Sequence, residues 1–116
     1  MELTNLDFQQ ARIKQVLFKS RLRSVLYGVR EPDPSLFAIR ENPLGEWLYA
    51  VIKPQYGTTP HFQRLELELQ KMLMTGQDLV RQYQRGQLEE SRAGLERLDA
   101  HASRIETLLQ ELEQFV

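Results

Sequence analysis

Apolar residues recur at steps of three and four positions along three long stretches of this 116-residue chain, with a block of prolines and glycines between the first two. That spacing is typical of amphipathic helices, because a helix turns once every 3.6 residues. It predicts helices over about residues 4–28, 59–85 and 87–115. The inward face of the first helix would consist of Phe8, Ala11, Gln15, Phe18, Leu22, Val25 and Leu26. We therefore expect an all-α fold built on three long helices.

The block at residues 29–58 differs in composition from the stretches on either side. It contains four prolines and two glycines, and proline breaks helices because it lacks a backbone donor. We expect a proline-rich connection with one short helix, which would fit between Pro43 and Ile52. The short link at Gly86 requires the two helices that flank it to run antiparallel. Residues 1–116 are thus predicted to form a single domain, an antiparallel four-helix-bundle-like structure with three long helices and one short helix.

The composition removes several classes of function. The chain has no cysteine, which excludes disulfides, thiolate metal ligands and cysteine nucleophiles. A formal net charge of -1 provides no general attraction to nucleic acid or to anionic lipid. No window approaches the roughly 20 apolar residues that cross a bilayer. We expect a cytoplasmic protein that neither binds nucleic acid nor inserts into a membrane.

Two segments carry a resemblance to a known family. Residues 42–48 read NPLGEWL and resemble the Cys-x-Leu-Gly-x-Trp-Leu signature of the chemoreceptor zinc-binding (CZB) domain. Residues 15–22 read QVLFKSRL and resemble that family's His-x-x-Trp-Lys-x-x-Leu pattern. The alignment continues through Phe62 and Leu65 to the region of Ala102, so it covers nearly the whole chain. The resemblance implies a helical-bundle sensory module of the kind found in bacterial chemoreceptors and diguanylate cyclases.

The zinc ligands of that family are replaced in this sequence. The resemblance places Gln15, Asn42, Leu69 and Leu73 at the ligand positions. Zinc requires imidazole, thiolate or carboxylate donors, which none of these four side chains supplies. The best donors for a relocated site would be His61 and His101, which lie far apart in sequence without a second histidine at helical spacing. We therefore expect no metal and no cofactor.

The carboxamides at two of those positions suggest a substitute for the metal. Gln15 falls in the middle of the inward face of the first helix, and a buried amide without a partner costs about 1–3 kcal/mol. One hypothesis is that the Gln15 and Asn42 side chains hydrogen bond to each other. The alternative is that Gln15 reaches solvent past the edge of the helix.

Catalytic arrangements are not apparent in the sequence. Asp99, His101 and Ser103 are the right residue types for a nucleophilic triad, but residues two apart on a helix point in different directions. The glycines are isolated, and none belongs to a phosphate-binding loop. We expect a protein that is not an enzyme.

The first helix carries a second apolar strip, opposite its inward face, and this strip suggests binding. It consists of Ile13, Val16, Leu17 and Tyr27, and it lies beside a basic flank that includes Arg12, Lys19 and Arg23. A helix that is apolar on two sides must bury both. Either the proline-rich segment, with residues such as Phe37 and Trp47, folds over the strip, or a homodimer or partner helix docks there through acidic residues.

These observations together favour a regulatory or protein-interaction module. It would resemble a CZB sensory domain that has lost its zinc site and would act through self-association or a bacterial signalling partner. The alternative is a zinc-responsive sensory domain that uses other ligands.

Overall fold

The computed structural model describes residues 3–116, and within that range it contains helices, turns and loops but no strand. Three helices are long, as predicted. In chain order the elements are α1 (Asn5–Leu26), a 3-10 turn (Pro34–Phe37), α2 (Pro43–Trp47), a π-helical turn (Leu48–Ile52), α3 (Lys53–Tyr56), α4 (Pro60–Gln84), α5 (Leu88–Ala93) and α6 (Glu96–Phe115).

Local capping residues set the starts of two of the three long helices, α1 and α4. At α1 the Thr4 hydroxyl accepts from the Asp7 N–H, and the Asp7 carboxylate accepts from the Thr4 N–H at 2.8 Å. This reciprocal pair is a capping box, which satisfies two donors that the first turn leaves free. At α4 the Thr59 hydroxyl accepts from the Phe62 N–H, and Pro60 occupies the first helical position.

The proline-rich segment is more helical than predicted. Helical turns run without interruption from α2 through the π turn to α3, although Pro54 lies inside this run. The reason is the π turn, in which the Lys53 N–H bonds to the Leu48 carbonyl five residues back. In a π turn the N–H group bonds to the carbonyl five residues back instead of four. This wider hydrogen-bond pattern occurs just before Pro54, which has no N–H to donate, so the chain passes Pro54 without leaving the helix.

The last predicted helix, residues 87–115, is in fact two helices. Bonds between residues three apart tighten the chain where α5 ends, including Leu95 N–H to Arg92 O and Arg97 N–H to Gly94 O. A Cβ atom at Gly94 would lie 2.3 Å from Leu79 Cδ2, so the absent side chain lets α4 approach this junction closely. The prediction of one continuous helix was therefore wrong, and the junction lies where Gly94 meets Leu79 of α4.

The core lies between α1, α4, α6 and the helical run at residues 43–56. All seven residues predicted for the inward face of α1 are buried, as are Leu98, Ile105, Leu109 and Leu112 of α6. No helix in the described range is both long and apolar enough to cross a membrane.

Residues further along α1 and α4 contact residues that lie earlier along α6. Along α1, Arg12 pairs with Glu106 and Glu113 near the end of α6, whereas Lys19 pairs with Asp99 near its start. Along α4, Glu68 contacts Arg104, whereas the later Thr75 contacts His101. These pairs fix the register of α6 against both neighbours.

Candidate interaction surfaces

The four positions that the CZB resemblance assigns to zinc ligands are all buried. Leu69 and Leu73 are part of the apolar core, with about 1% and 3% of their surface exposed. Gln15 and Asn42 are buried as well. The structure therefore gives these positions packing and hydrogen-bonding roles.

The predicted hydrogen bond between the carboxamides of Gln15 and Asn42 is wrong, because each has other partners. Gln15 Nε2 donates to the Ala102 carbonyl of α6 at 2.7 Å. Asn42 Nδ2 donates to the Leu36 carbonyl at 2.8 Å, and Asn42 Oδ1 accepts from the Leu44 N–H at 3.0 Å. Asn42 is thus the N-cap of α2. Its hydrogen bond to the Leu36 carbonyl, which the sequence could not predict, links that cap to the 3-10 turn. The alternative for Gln15 is also wrong, because only about 8% of this residue is exposed and its amide bonds to α6 rather than extending past the helix edge.

The glycine of the NPLGEWL segment has a steric explanation. A Cβ atom on Gly45 would lie 1.5 Å from the Ile39 carbonyl oxygen, so no larger residue fits while the loop keeps its course. The following Trp47 packs edge-on against Phe8 of α1, with ring centroids 5.8 Å apart. This part of the signature-like segment therefore serves to dock α2 on α1.

The two histidines considered for a relocated metal site have separate environments. His61 stacks on Phe115, with ring centroids 4.4 Å apart. His101 lies between Thr75 and Arg104, with Nε2 3.3 Å from the Thr75 hydroxyl and Nδ1 3.2 Å from Arg104 Nη2. Within residues 3–116, no three His, Cys, Asp or Glu side chains are grouped so that they could hold a metal ion.

The residue types of a nucleophilic triad are not assembled around His101. Asp99 pairs with Lys19 of α1, and Ser103 is exposed on α6. His101 instead faces α4 through Thr75, as described above. The three side chains therefore point to different parts of the molecule, as their spacing on one helix predicts.

Most of the second apolar strip of α1 is uncovered, although Arg92 of α5 lies over its Tyr27 end, with the guanidinium carbon 4.5 Å from the ring centre. We call this surface the outer strip, and its exposed fractions are 61% for Ile13, 69% for Val16, 38% for Leu17 and 48% for Tyr27. The interpretation in which the proline-rich segment folds over the strip is wrong. Phe37 packs against Phe18 and Tyr49 against Phe62, both with edge-on ring geometry, so the aromatic residues of that segment point into the core.

Part of the basic flank is engaged within the chain itself. Arg12 donates to Glu106 at 2.8 Å and to Glu113 at 3.0 Å, and Lys19 donates to Asp99 at 2.5 Å. The hydrogen bond to Glu106 is the largest of the effects that raise the pKa of Arg12, and burial opposes it. Arg12 and Lys19, predicted to meet acids of a partner, thus meet acids of α6 instead.

Other cations beside the strip remain available. Arg23 has no ion-pair partner in the described chain, and its guanidinium carbon lies 5.5 Å from the centre of the Tyr27 ring. Lys14, on the opposite flank, likewise pairs with no carboxylate among residues 3–116. The outer strip is therefore an exposed apolar surface with an unpaired cation on each side.

A second surface feature was not predicted from the sequence. Between α4 and α6 lies a groove that combines exposed cations with the apolar side chains of Leu67 and Leu108. The exposed Leu67 was the only signal of it, because the other residues come from two helices whose register cannot be read from periodicity.

Comparison with known proteins adds no relative. No protein-family model matches the chain, and searches of curated proteins and of solved structures give no match either.

Proposed function

We propose that this chain is a non-enzymatic regulatory module that binds a partner protein through the outer strip of α1. The observation that carries the proposal is the exposure of Ile13, Val16 and Leu17 on a helix whose other face is fully buried. Contiguous apolar surface of this kind on a small protein marks a site of interaction. The strip follows helical spacing, which suits an amphipathic helix of the partner.

The scaffold we propose is an antiparallel four-helix-bundle-like domain. The opposite order of the contacts between α6 and its neighbours supports it, with residues 43–56 as the short fourth helix. Together with the resemblance of residues 42–48 to the CZB signature, this scaffold supports a regulatory domain of that type without its zinc site. Its partner would then be a bacterial signalling protein, and its location the cytoplasm.

The positive charges beside the outer strip indicate the chemistry of the partner. Lys14 and Arg23 flank the outer strip without ion-pair partners among the described residues, and α1 carries no carboxylate beyond Asp7 at its start. A second copy of α1 would bring the same cations together, and like charges at short range oppose association. We therefore propose an acidic amphipathic helix as the occupant and rank a homodimer second.

A synthetic peptide tests the proposal directly. The probe is a helical 18-residue peptide with a leucine stripe flanked by glutamates, labelled for fluorescence anisotropy. Its matched control has lysines in place of the glutamates. We expect the acidic peptide to bind the wild-type protein roughly tenfold more tightly than the basic one. Val16→Gln, which removes apolar surface without adding charge, should weaken that binding by a similar factor while leaving the helical circular dichroism spectrum unchanged.

Two results would contradict the proposal. Equal affinities for the two peptides would remove the role of charge, and undiminished binding by Val16→Gln would move the site away from the outer strip. Sedimentation velocity over a range of protein concentrations tests the second-ranked occupant of the strip, which is a second copy of the chain. A dimer that dissociates in Val16→Gln would assign the strip to self-association rather than to an acidic helix.

A further inference from the structure

A groove runs between α4 and α6, away from the outer strip. Its volume is about 350 Å³, which is within the range of small-molecule pockets, and a seam between helices is a usual place for such sites. The residues that matter for its chemistry are Arg64, Leu67, Glu68, Lys71, Arg104 and Leu108. The two leucines supply apolar walls, and the other four side chains are charged.

The one carboxylate of the groove is already neutralised. Glu68 is buried, and it accepts a hydrogen bond from Arg104 Nε. Arg104 Nη2 lies 3.2 Å from His101 Nδ1, while the other ring nitrogen of His101 lies 3.3 Å from the Thr75 hydroxyl. These contacts agree if Nδ1 accepts from Arg104 and Nε2–H donates to Thr75. The network fixes the Arg104 guanidinium at the wall of the groove.

The remaining cations leave the groove with an excess of positive charge. Arg64 and Lys71 are exposed, and neither forms an ion pair with a carboxylate anywhere in residues 3–116. Leu67 lies between them in the sequence of α4 and is about half exposed. These cations, unpaired among the described residues, lie beside the exposed Leu67 and the partly buried Leu108, and together they define a surface that attracts negative charge and apolar groups at the same point.

We propose that this groove binds a small amphiphilic anion, a carboxylate with an apolar chain or ring. The carboxylate would lie between Arg64 and Lys71, within reach of the fixed Arg104, because guanidinium groups match carboxylates in geometry and charge. The apolar part would pack between Leu67 and Leu108. This site is independent of the proposed partner site on α1, so either can fail without the other.

Decanoate is a suitable probe, used below the concentration at which it aggregates. Amide chemical shifts of the full-length ¹⁵N-labelled protein would be followed during titration. We expect saturable shifts at Arg64, Leu67, Lys71 and Leu108. Decanol, which has the same chain without the charge, should bind roughly tenfold more weakly. Binding should tighten up to about fourfold per methylene from octanoate to decanoate.

Two double variants separate the groove from general electrostatics. Arg64→Glu/Lys71→Glu should weaken decanoate binding roughly tenfold or more. Arg85→Glu/Arg97→Glu changes the net charge by the same amount at exposed sites outside the groove, and it should bind like wild type. All four positions are exposed, so both variants should fold, which circular dichroism would verify.

Several outcomes would overturn the proposal. The first is that no saturable binding occurs, and the second is that both double variants lose affinity equally. Shifts centred on Val16 and Tyr27 would assign decanoate to the outer strip instead. If the acidic helical peptide shifts Arg64 and Lys71 while decanoate does not, the groove is a protein-docking surface.

Discussion

Leu17 on the outer strip and Leu48 in the π turn are identical side chains in opposite situations. Leu17 is 38% exposed, whereas Leu48 is 2% exposed. Both regions are apolar, and one of the two alternatives left open by the sequence was that the proline-rich segment would cover the outer strip. Instead the segment turned inward, because its helical run at residues 43–56 packs Trp47 on Phe8 and Tyr49 on Phe62. An apolar pattern thus predicts that a face needs cover, but not which element supplies it.

The largest effect should come from truncating these two leucines. Leu48→Ala should lower the free energy of unfolding by about 2–5 kcal/mol, because it removes buried methyl groups and leaves a cavity. Leu17→Ala should lower it by less than about 1 kcal/mol, since much of that side chain is already in water. Urea unfolding followed by circular dichroism measures both. Similar losses would show that the outer strip is covered within the monomer.

The two buried carboxamide residues, Asn42 and Gln15, should also contribute unequally to the free energy of unfolding. Asn42→Ala should cost about 2 kcal/mol, because it removes an N-cap and leaves the buried Leu36 carbonyl without this donor. Gln15→Leu should change stability by less than about 1 kcal/mol, because the Ala102 carbonyl also accepts the intrahelical bond of α6. The same urea experiment tests the pair. A larger loss for Gln15→Leu would mean that its hydrogen bond to α6 is the more important of the two.

The contrast between these residues shows what periodicity can and cannot predict. The inward face of α1 was predicted in full, because a helix buried on one side has apolar residues that recur in the sequence at 3.6-residue spacing. Capping by Thr4 and Thr59 is equally local. The partners of Gln15 and Asn42 were not predictable, because Ala102 and Leu36 reach them only through tertiary packing.

The same reasoning explains the two errors in the helix boundaries. Pro54 suggested that no helix could pass, but the π turn before it depends on how residues 48–52 pack. The break at Gly94 follows from the approach of Leu79 on another helix. The groove between α4 and α6 was missed for a related reason. Arg104 and Leu108 meet Lys71 only after the register of the two helices is set.

The basic flank provides a smaller effect, which tests whether its cations serve the fold or a partner. Arg12 is 28% exposed at its side chain and contacts two carboxylates, whereas Lys19 is 42% exposed and contacts one. Arg12→Ala should lower stability by about 1 kcal/mol, and Lys19→Ala by less than about 0.5 kcal/mol. Both losses should shrink in 1 M salt, where charges are screened. Equal and salt-independent losses would indicate packing of the side-chain stems instead.

The last effect is absent at neutral pH and appears only at alkaline pH, where it compares a tyrosine from each region. Burial raises the pKa of Tyr49 from 10.0 to about 12, assisted by its hydrogen bond to the Glu66 carboxylate. The folded state therefore holds this proton more tightly than the unfolded chain does. The stabilisation is complete below about pH 10 and is lost as the pH rises towards 12. Absorbance at 295 nm should show a tyrosine that ionises late. Tyr49→Phe should remove that transition and flatten the fall in stability between pH 10 and 12, whereas Tyr27→Phe, on the outer strip, should leave it in place. If the late transition survives in Tyr49→Phe, the environment of Tyr49 is more open than its contact with Glu66 indicates, and the proline-rich segment covers the core less firmly than its packing implies.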